Sequence, residues 1–121
     1  MAVQYHDNWR AARSRVERAA SELVRKTALS IEADIKADMA SEKHGRVYGD
    51  HVASARGEAP AIDKGVLVNS VQTALDGAYA AEVGSPQETA PILETTLDRP
   101  AFKRAGQKAK NTFRRNAERL S

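Results

Sequence analysis

From about Asn8 to Met39, apolar or small side chains recur every three or four positions: Trp9, Ala12, Val16, Ala20, Leu23, Thr27, Ile31, Ile35 and Met39. That spacing follows the turn of an α-helix and gathers these residues on one slowly drifting stripe. Arg15, Arg18, Glu22, Arg25 and Lys36 fall on the opposite face. The pattern predicts one long helix, or two joined by a bend, with Asp7 or Asn8 as the cap. At full length such a helix measures ~45 Å. A domain of this size cannot cover that length with its own chain, so a kink or neighbouring chains are expected.

The pattern then changes. Ser41 to Arg56 is polar and irregular, with Gly45 and Gly49, and reads as a loop that is mobile or ordered by a partner. Together with the Gly- and Pro-containing stretch up to Gly65 it forms a connector, residues 41–65. From Val66 the apolar positions alternate, which predicts a strand over Val66–Ala74. Leu75-Asp76-Gly77 reads as a turn and Ala78–Val83 as a second strand, which makes an antiparallel hairpin within a β region, 66–84. Gly84-Ser85-Pro86 ends it, and Ser85 to Glu88 has the form of a capping box. Pro91–Leu97 reads as a short helical turn. A terminal helix is expected over about Pro100–Arg119, because Pro suits a first helical turn. On it Phe102, Ala105, Ala109, Phe113, Ala117 and Leu120 share one face. The fold class is therefore α+β: a long N-terminal helix, a small central antiparallel sheet or hairpin, and a C-terminal amphipathic helix.

Composition narrows the picture. A chain of 121 residues suggests one domain, 1–121. Hydrophobic residues are 41% but aromatics only 5%, so the core rests on Ala, Val, Leu and Ile. So lean a core suggests stabilisation by neighbouring subunits. The chain has no cysteine, which excludes disulfides, thiolate metal sites and a cysteine nucleophile. The first residues lack the form of a signal peptide, and no apolar run nears the ~20 residues that span a bilayer. A soluble protein made and used without export is expected. Net charge is +3, and it is unevenly placed: Arg99 to Arg119 holds eight Lys or Arg against one acid, Glu118. Such a segment meets nucleic acid or an acidic protein surface, or is simply a solvated helix face.

Candidate chemistry is sparse. His44 and His51 flank Asp50 in the connector, but their spacing matches no metal-binding helix motif, so surface loop histidines are expected. The serines lack the Gly-x-Ser-x-Gly context of an activated nucleophile. No glycine-rich phosphate loop is present. Glu82, Glu88, Glu94 and Asp98 cluster in sequence, but a chain this small offers little pocket for a carboxylate pair, and a solvated loop is the simpler reading. No catalytic, metal or cofactor site is expected, and the chain does not read as an enzyme.

Three pieces, in order, carry a family likeness. The first is Ser54-Ala-Arg-Gly57-Glu-Ala-Pro60-Ala-Ile-Asp63-Lys-Gly65-Val-Leu67-Val-Asn-Ser70. The second runs from Tyr79 to Glu94 and ends Ala90-Pro91-Ile-Leu93-Glu94. The third is Arg99-Pro100-Ala-Phe102-Lys-Arg-Ala105. Together, over roughly residues 15–118, they resemble the small head–tail joining or tail-completion proteins (neck proteins, minor tail components) of lambdoid-type long-tailed bacteriophages. The chain departs from that pattern at Thr95-Thr96-Leu97, where Phe-Gly-Thr is usual, at Arg56 for Pro and at Lys64 for Thr. The first departure leaves the turn after Glu94 open.

The resemblance implies a structural virion protein of the neck or tail, assembled in the host bacterial cytoplasm. Such proteins are α+β units that form homo-oligomeric rings at the head–tail interface, of six or twelve copies by analogy with tails and portals. Implied partners are the phage connector or stopper and the tail terminator or tail tube proteins, with DNA in the channel and no membrane. Gly57, Pro60 and Gly65 would shape the connector, Leu67 and Phe102 would pack, and Asp63 and Pro100 are further loop or interface candidates. Glu94 and Arg99 would make polar contacts, with each other as one pairing. Lys103, Arg104, Lys108, Lys110, Arg114 and Arg115 would face DNA or a partner. The alternative from the residues alone is a free nucleic-acid-binding protein that uses the same basic helix.

Overall fold

A computed structural model describes residues 2–62 and 65–120, without the side chains of residues 2–8, Thr96 and Leu120. Its elements are α1 (Ala2–Ala40), β1 (Val47–Tyr48), β2 (His51–Val52), α2 (Val66–Ser70), β3 (Gln72–Leu75), β4 (Ala81–Gly84), α3 (Thr89–Pro91) and α4 (Phe102–Leu120). A π-helical turn, Ile92–Thr96, continues α3. The fold is α+β.

α1 is one unbroken helix of 39 residues, ~58 Å long. It starts six residues before the expected position, so Asp7 and Asn8 lie inside the helix and do not cap it. At its other end the chain supplies acceptor cover. Ser41 Oγ donates to the Asp38 carbonyl at 2.6 Å, and Lys43 Nζ donates to the same oxygen at 2.7 Å. A cation on the last carbonyls also complements the helix dipole.

α1 packs on α4 and on the β3–β4 hairpin. The buried core holds Ile35, Met39, Ala59, Val71, Ala101 and Ala105, with Ile31, Leu67, Val68, Val83 and Phe102 against it. Every α1 residue in that set lies beyond residue 30. Toward the other end the expected stripe is uncovered: Trp9 is 65% exposed and Val16 67%. The N-terminal part of α1 overhangs the domain up to Arg18, where the helix meets the β3–β4 turn at Leu75, Gly77 and Ala78.

The β region differs from the expectation in two ways. Val66–Ser70 is a helical turn, not the start of a strand. A strand would send Leu67 and Val68 to opposite faces, whereas both pack on the core together with Val71. Gly65, at φ +79°, turns the chain into α2, and Asn69 N–H donates to the Gly65 carbonyl at 3.0 Å. The strand proper is β3, paired antiparallel with β4 from Gln72↔Gly84 to Leu75↔Ala81. The second strand thus starts three residues later than expected and ends at Gly84. The connector is also more ordered than its polarity suggests. β1 and β2 form a two-residue-a-side hairpin with Tyr48 paired to His51, and the Arg46 guanidinium lies 5.3 Å from the Tyr48 ring centre. Ser85 caps no helix; its hydroxyl accepts from Gln87 N–H at 3.1 Å and shares a hydrogen bond with Ser70.

α4 runs from Phe102 to Leu120, and its buried stripe follows the apolar one only at the start, where Ala105 is buried and Phe102 packs on the core. Ala101, Ala105, Thr112 and Asn116 are buried, whereas Phe113 is 45% exposed. Asn116 Nδ2 donates to Ser30 Oγ at 3.3 Å and to Thr27 Oγ1 at 3.5 Å. The α1–α4 seam is thus partly polar, and Thr112 turns its hydroxyl back to the Lys108 carbonyl at 3.1 Å.

Candidate functional site

The three sequence pieces meet at one junction, where the connector, the π-helical turn and the start of α4 converge. Glu94 is its centre. One carboxylate oxygen accepts from Ala101 N–H and Phe102 N–H, both at 2.8 Å, and the other from Lys103 N–H at 3.1 Å. These amides open α4 and have no partner within the helix, so Glu94 caps it from outside, on the positive end of its dipole. The expected pairing of Glu94 with Arg99 does not form among the described residues. Arg99 turns the other way: Nε donates to the Ser54 carbonyl at 3.1 Å and Nη1 to the Leu97 and Asp98 carbonyls. It ties the connector to the loop before α4.

Gly57 lies between the same elements. It adopts φ +84°, its N–H donates to the Asp98 carbonyl at 2.7 Å, and its carbonyl accepts from Arg104 Nη1 at 3.1 Å. Asp98 itself sits at φ +53°, a left-handed conformation that Asp tolerates better than most residues. Pro60 is buried beside fully buried Ala59, so the connector here is core rather than surface loop. Leu67 and Phe102 pack as expected, Pro100 is half-buried, and Asp63 lies outside the described residues. After Glu94 the turn that the family pattern left open is the π-helical one, with Thr95 Oγ1 bonded to the Pro91 carbonyl at 2.7 Å.

Sequence reasoning passed over the strongest polar latch. Glu58 accepts from Ala55 N–H at 2.6 Å and His44 N–H at 3.0 Å, and its second oxygen meets His44 Nδ1 at 2.7 Å. These bonds hold the Glu58 carboxyl down at about 2, the Ala55 amide contributing most. The same contact raises the His44 ring above its ordinary value. His44 is therefore a strap fastening. The only sequence hint was a carboxylate next to Gly57, and nothing local pointed to a partner fourteen residues back. Burial lowers Lys43 next to the latch, against the pull of Asp38 and Glu58.

The six cations assigned to the basic helix separate into two rows. Arg104 pairs with Asp38 at 3.4 Å, and Lys108 and Arg115 border a polar cleft with Asp34 and Asp38. That row faces carboxylates of α1, with the ion pair made at Arg104. Lys103, Lys110 and Arg114 are exposed, point away from α1 and make no ion pair among the described residues. With Gln107 they form a donor row about 16 Å long. No helix is long and apolar enough to cross a membrane among the described residues. The chain matches no known family, no curated protein and no solved structure.

Proposed function

We propose that this chain is a structural subunit of a bacteriophage neck or tail, a ring-forming piece that completes the tail at the head–tail interface. The observation that carries the reading is spatial. Three stretches that resemble the head–tail joining family in order along the chain meet at one junction, where Gly57, Glu94 and Arg99 each bridge two of them. The overhanging part of α1 supports the reading as well, because a subunit that keeps an exposed Trp and Val on a solitary helix has surface left for neighbours. The partners would be connector or stopper and tail terminator or tail tube proteins, the place the virion, and assembly the bacterial cytoplasm. The role is mechanical, not enzymatic. Native mass spectrometry over a concentration series, alone and with purified tail tube, tests it. A closed species of six or twelve copies is expected, and a monomer that stays single with every neck or tail protein offered refutes it.

A second reading has its own observation, the unanswered row Lys103, Lys110 and Arg114. These three would meet duplex phosphates, within a neck channel or as a free DNA-binding protein. Releasing counterions from about three phosphates gives a log–log salt slope near −2.7, or ~40-fold weaker binding between 50 and 200 mM salt. Replacing the three by Gln should remove that slope. The double change Lys108→Gln, Arg115→Gln should alter it by less than about one, since those two border the cleft that holds Asp34 and Asp38. Equal effects from both sets would mean net charge alone is at work.

A further inference from the structure

We infer that copies of this chain associate head to tail, the overhanging part of α1 from one copy lying in an apolar groove of the next. The groove runs along the C-terminal half of α1. Its floor is Val24 and Ile31, and its walls are Tyr79 on the β3–β4 side and Phe102, Gly106 and Phe113 on α4. It measures about 460 Å³, and none of the described residues lining it is charged. Tyr79 and Phe113, 56% and 45% exposed, stand at its rim. At Gly106 a Cβ would meet nothing within 4 Å, so the wall is open there and not closed by packing.

The same chain carries a fitting occupant. Trp9, Ala12 and Val16 lie at i, i+3 and i+7, the anchor spacing of a helix laid in an apolar groove. Trp9 and Val16 are the most exposed large apolar side chains among the described residues of α1. This segment cannot enter its own groove. α1 is continuous from Ala2 to Ala40, and the groove begins at Val24 on that same helix. Only a second copy brings the two together. Because the joined patches differ, the contact is heterologous, and repeating it closes a ring or runs on as a filament.

Area fixes how the contact behaves. The exposed parts of Trp9, Val16, Tyr79 and Phe113 amount to roughly 400–500 Å² at ~150–250 Å² per large side chain. A stable pairwise interface buries roughly 1,200–2,000 Å². These four side chains supply about a third of that area, and closure, which gives every copy two contacts, adds to what one contact supplies. This inference names the contact for the ring reading but rests on the groove and the overhang alone.

Because the chain has no cysteine, introduced thiols report without background. Val16→Cys and Phe113→Cys both fall on exposed positions. With a short bis-maleimide at high protein concentration, an equimolar mixture of the two single variants should give the mixed dimer, with neither variant linking to itself. The double variant should give a ladder. No mixed dimer, or a Val16→Cys homodimer as the main product, overturns the inference; the latter would mean two-fold pairing of α1 instead. Trp9 is the sole tryptophan, so its emission should shift blue with concentration, and Phe113→Glu should abolish the shift while leaving the helical circular dichroism intact. A shift that survives Phe113→Glu also overturns it. Closed rings by mass spectrometry without the mixed cross-link would sink the groove contact and leave the ring reading standing. An open-ended ladder without closure would do the reverse.

Discussion

Replacing Glu94 by Ala should be among the most costly single changes outside the apolar core. The carboxylate holds three amides at the start of α4, at 2.8, 2.8 and 3.1 Å. Water can take over at Lys103, whose amide is exposed, but those of Ala101 and Phe102 are partly buried. Loss of an ordinary N-cap costs ~0.5–2 kcal/mol. Here the acceptor is charged, which roughly doubles each bond, and a helix dipole adds ~0.3–1 kcal/mol. A loss of about 2–3 kcal/mol is expected. The unfolding entropy of a 121-residue chain is about 0.25 kcal/mol/K, so Tm should fall by ~8–12 °C. Glu94→Gln keeps the shape and one acceptor oxygen and should lose about half as much. Urea unfolding followed by circular dichroism measures both, with an unchanged m-value as the check that the folded state is retained. A loss below about 0.5 kcal/mol for Glu94→Ala would refute the external cap.

The His44–Glu58 latch should respond to pH at both ends. Glu58 sits low, at about 2, so its contribution is present above the ordinary carboxylate range and is lost as pH falls through about 2. His44 is raised, so its contribution is complete below the ordinary imidazole value and is lost as pH rises through the raised one. NMR of the His44 ring and Ala55 amide should therefore show the latch tightest in mildly acid solution, and His44→Gln should move the Glu58 titration upward. Gly45→Ala would put a Cβ 2.5 Å from the Ala53 carbonyl oxygen and 2.6 Å from that of Ser54; both are backbone, so a loss of about 1–3 kcal/mol is expected by denaturant unfolding. Asn116→Leu should cost about 1–2 kcal/mol by stranding the Thr27 hydroxyl, and adding Thr27→Val should restore most of it. Additive losses in that cycle would mean that the two side chains do not interact.

Much of this fold is legible from periodicity, and the misses share a cause. α1 declared itself because its apolar positions keep a helical spacing for thirty residues. What spacing cannot say is which part of a stripe finds cover, and so Trp9 and Val16 read like Ile35 and Met39. In α4 hydrophobicity pointed to Phe113, yet Thr112 and Asn116 hold the seam, because two polar groups that satisfy one another bury as readily as a methyl group. Val66 to Ser70 looked like a strand from its alternation; tertiary packing overrode that pattern by needing Leu67, Val68 and Val71 on one side. The β1–β2 hairpin is too short and too exposed to leave an alternation. At the junction Glu94 makes polar contacts, but with backbone amides and not with Arg99. Its acceptors serve backbone amides, and side-chain identity carries no signal for those.

One helix here has two stabilities. Beyond residue 30, α1 opens only when the core does, so its amides should exchange with solvent at the slow rate of global unfolding. The overhang has no such anchor. Isolated helices of its length are marginal in water; this one persists because the anchored half supplies a ready nucleus on which turns need only propagate. It should therefore fray from its free end, turn by turn. Amide exchange should fall steadily from Trp9 toward Thr27 in a separated subunit, and a protease should trim the same segment first, leaving a shortened domain that still folds.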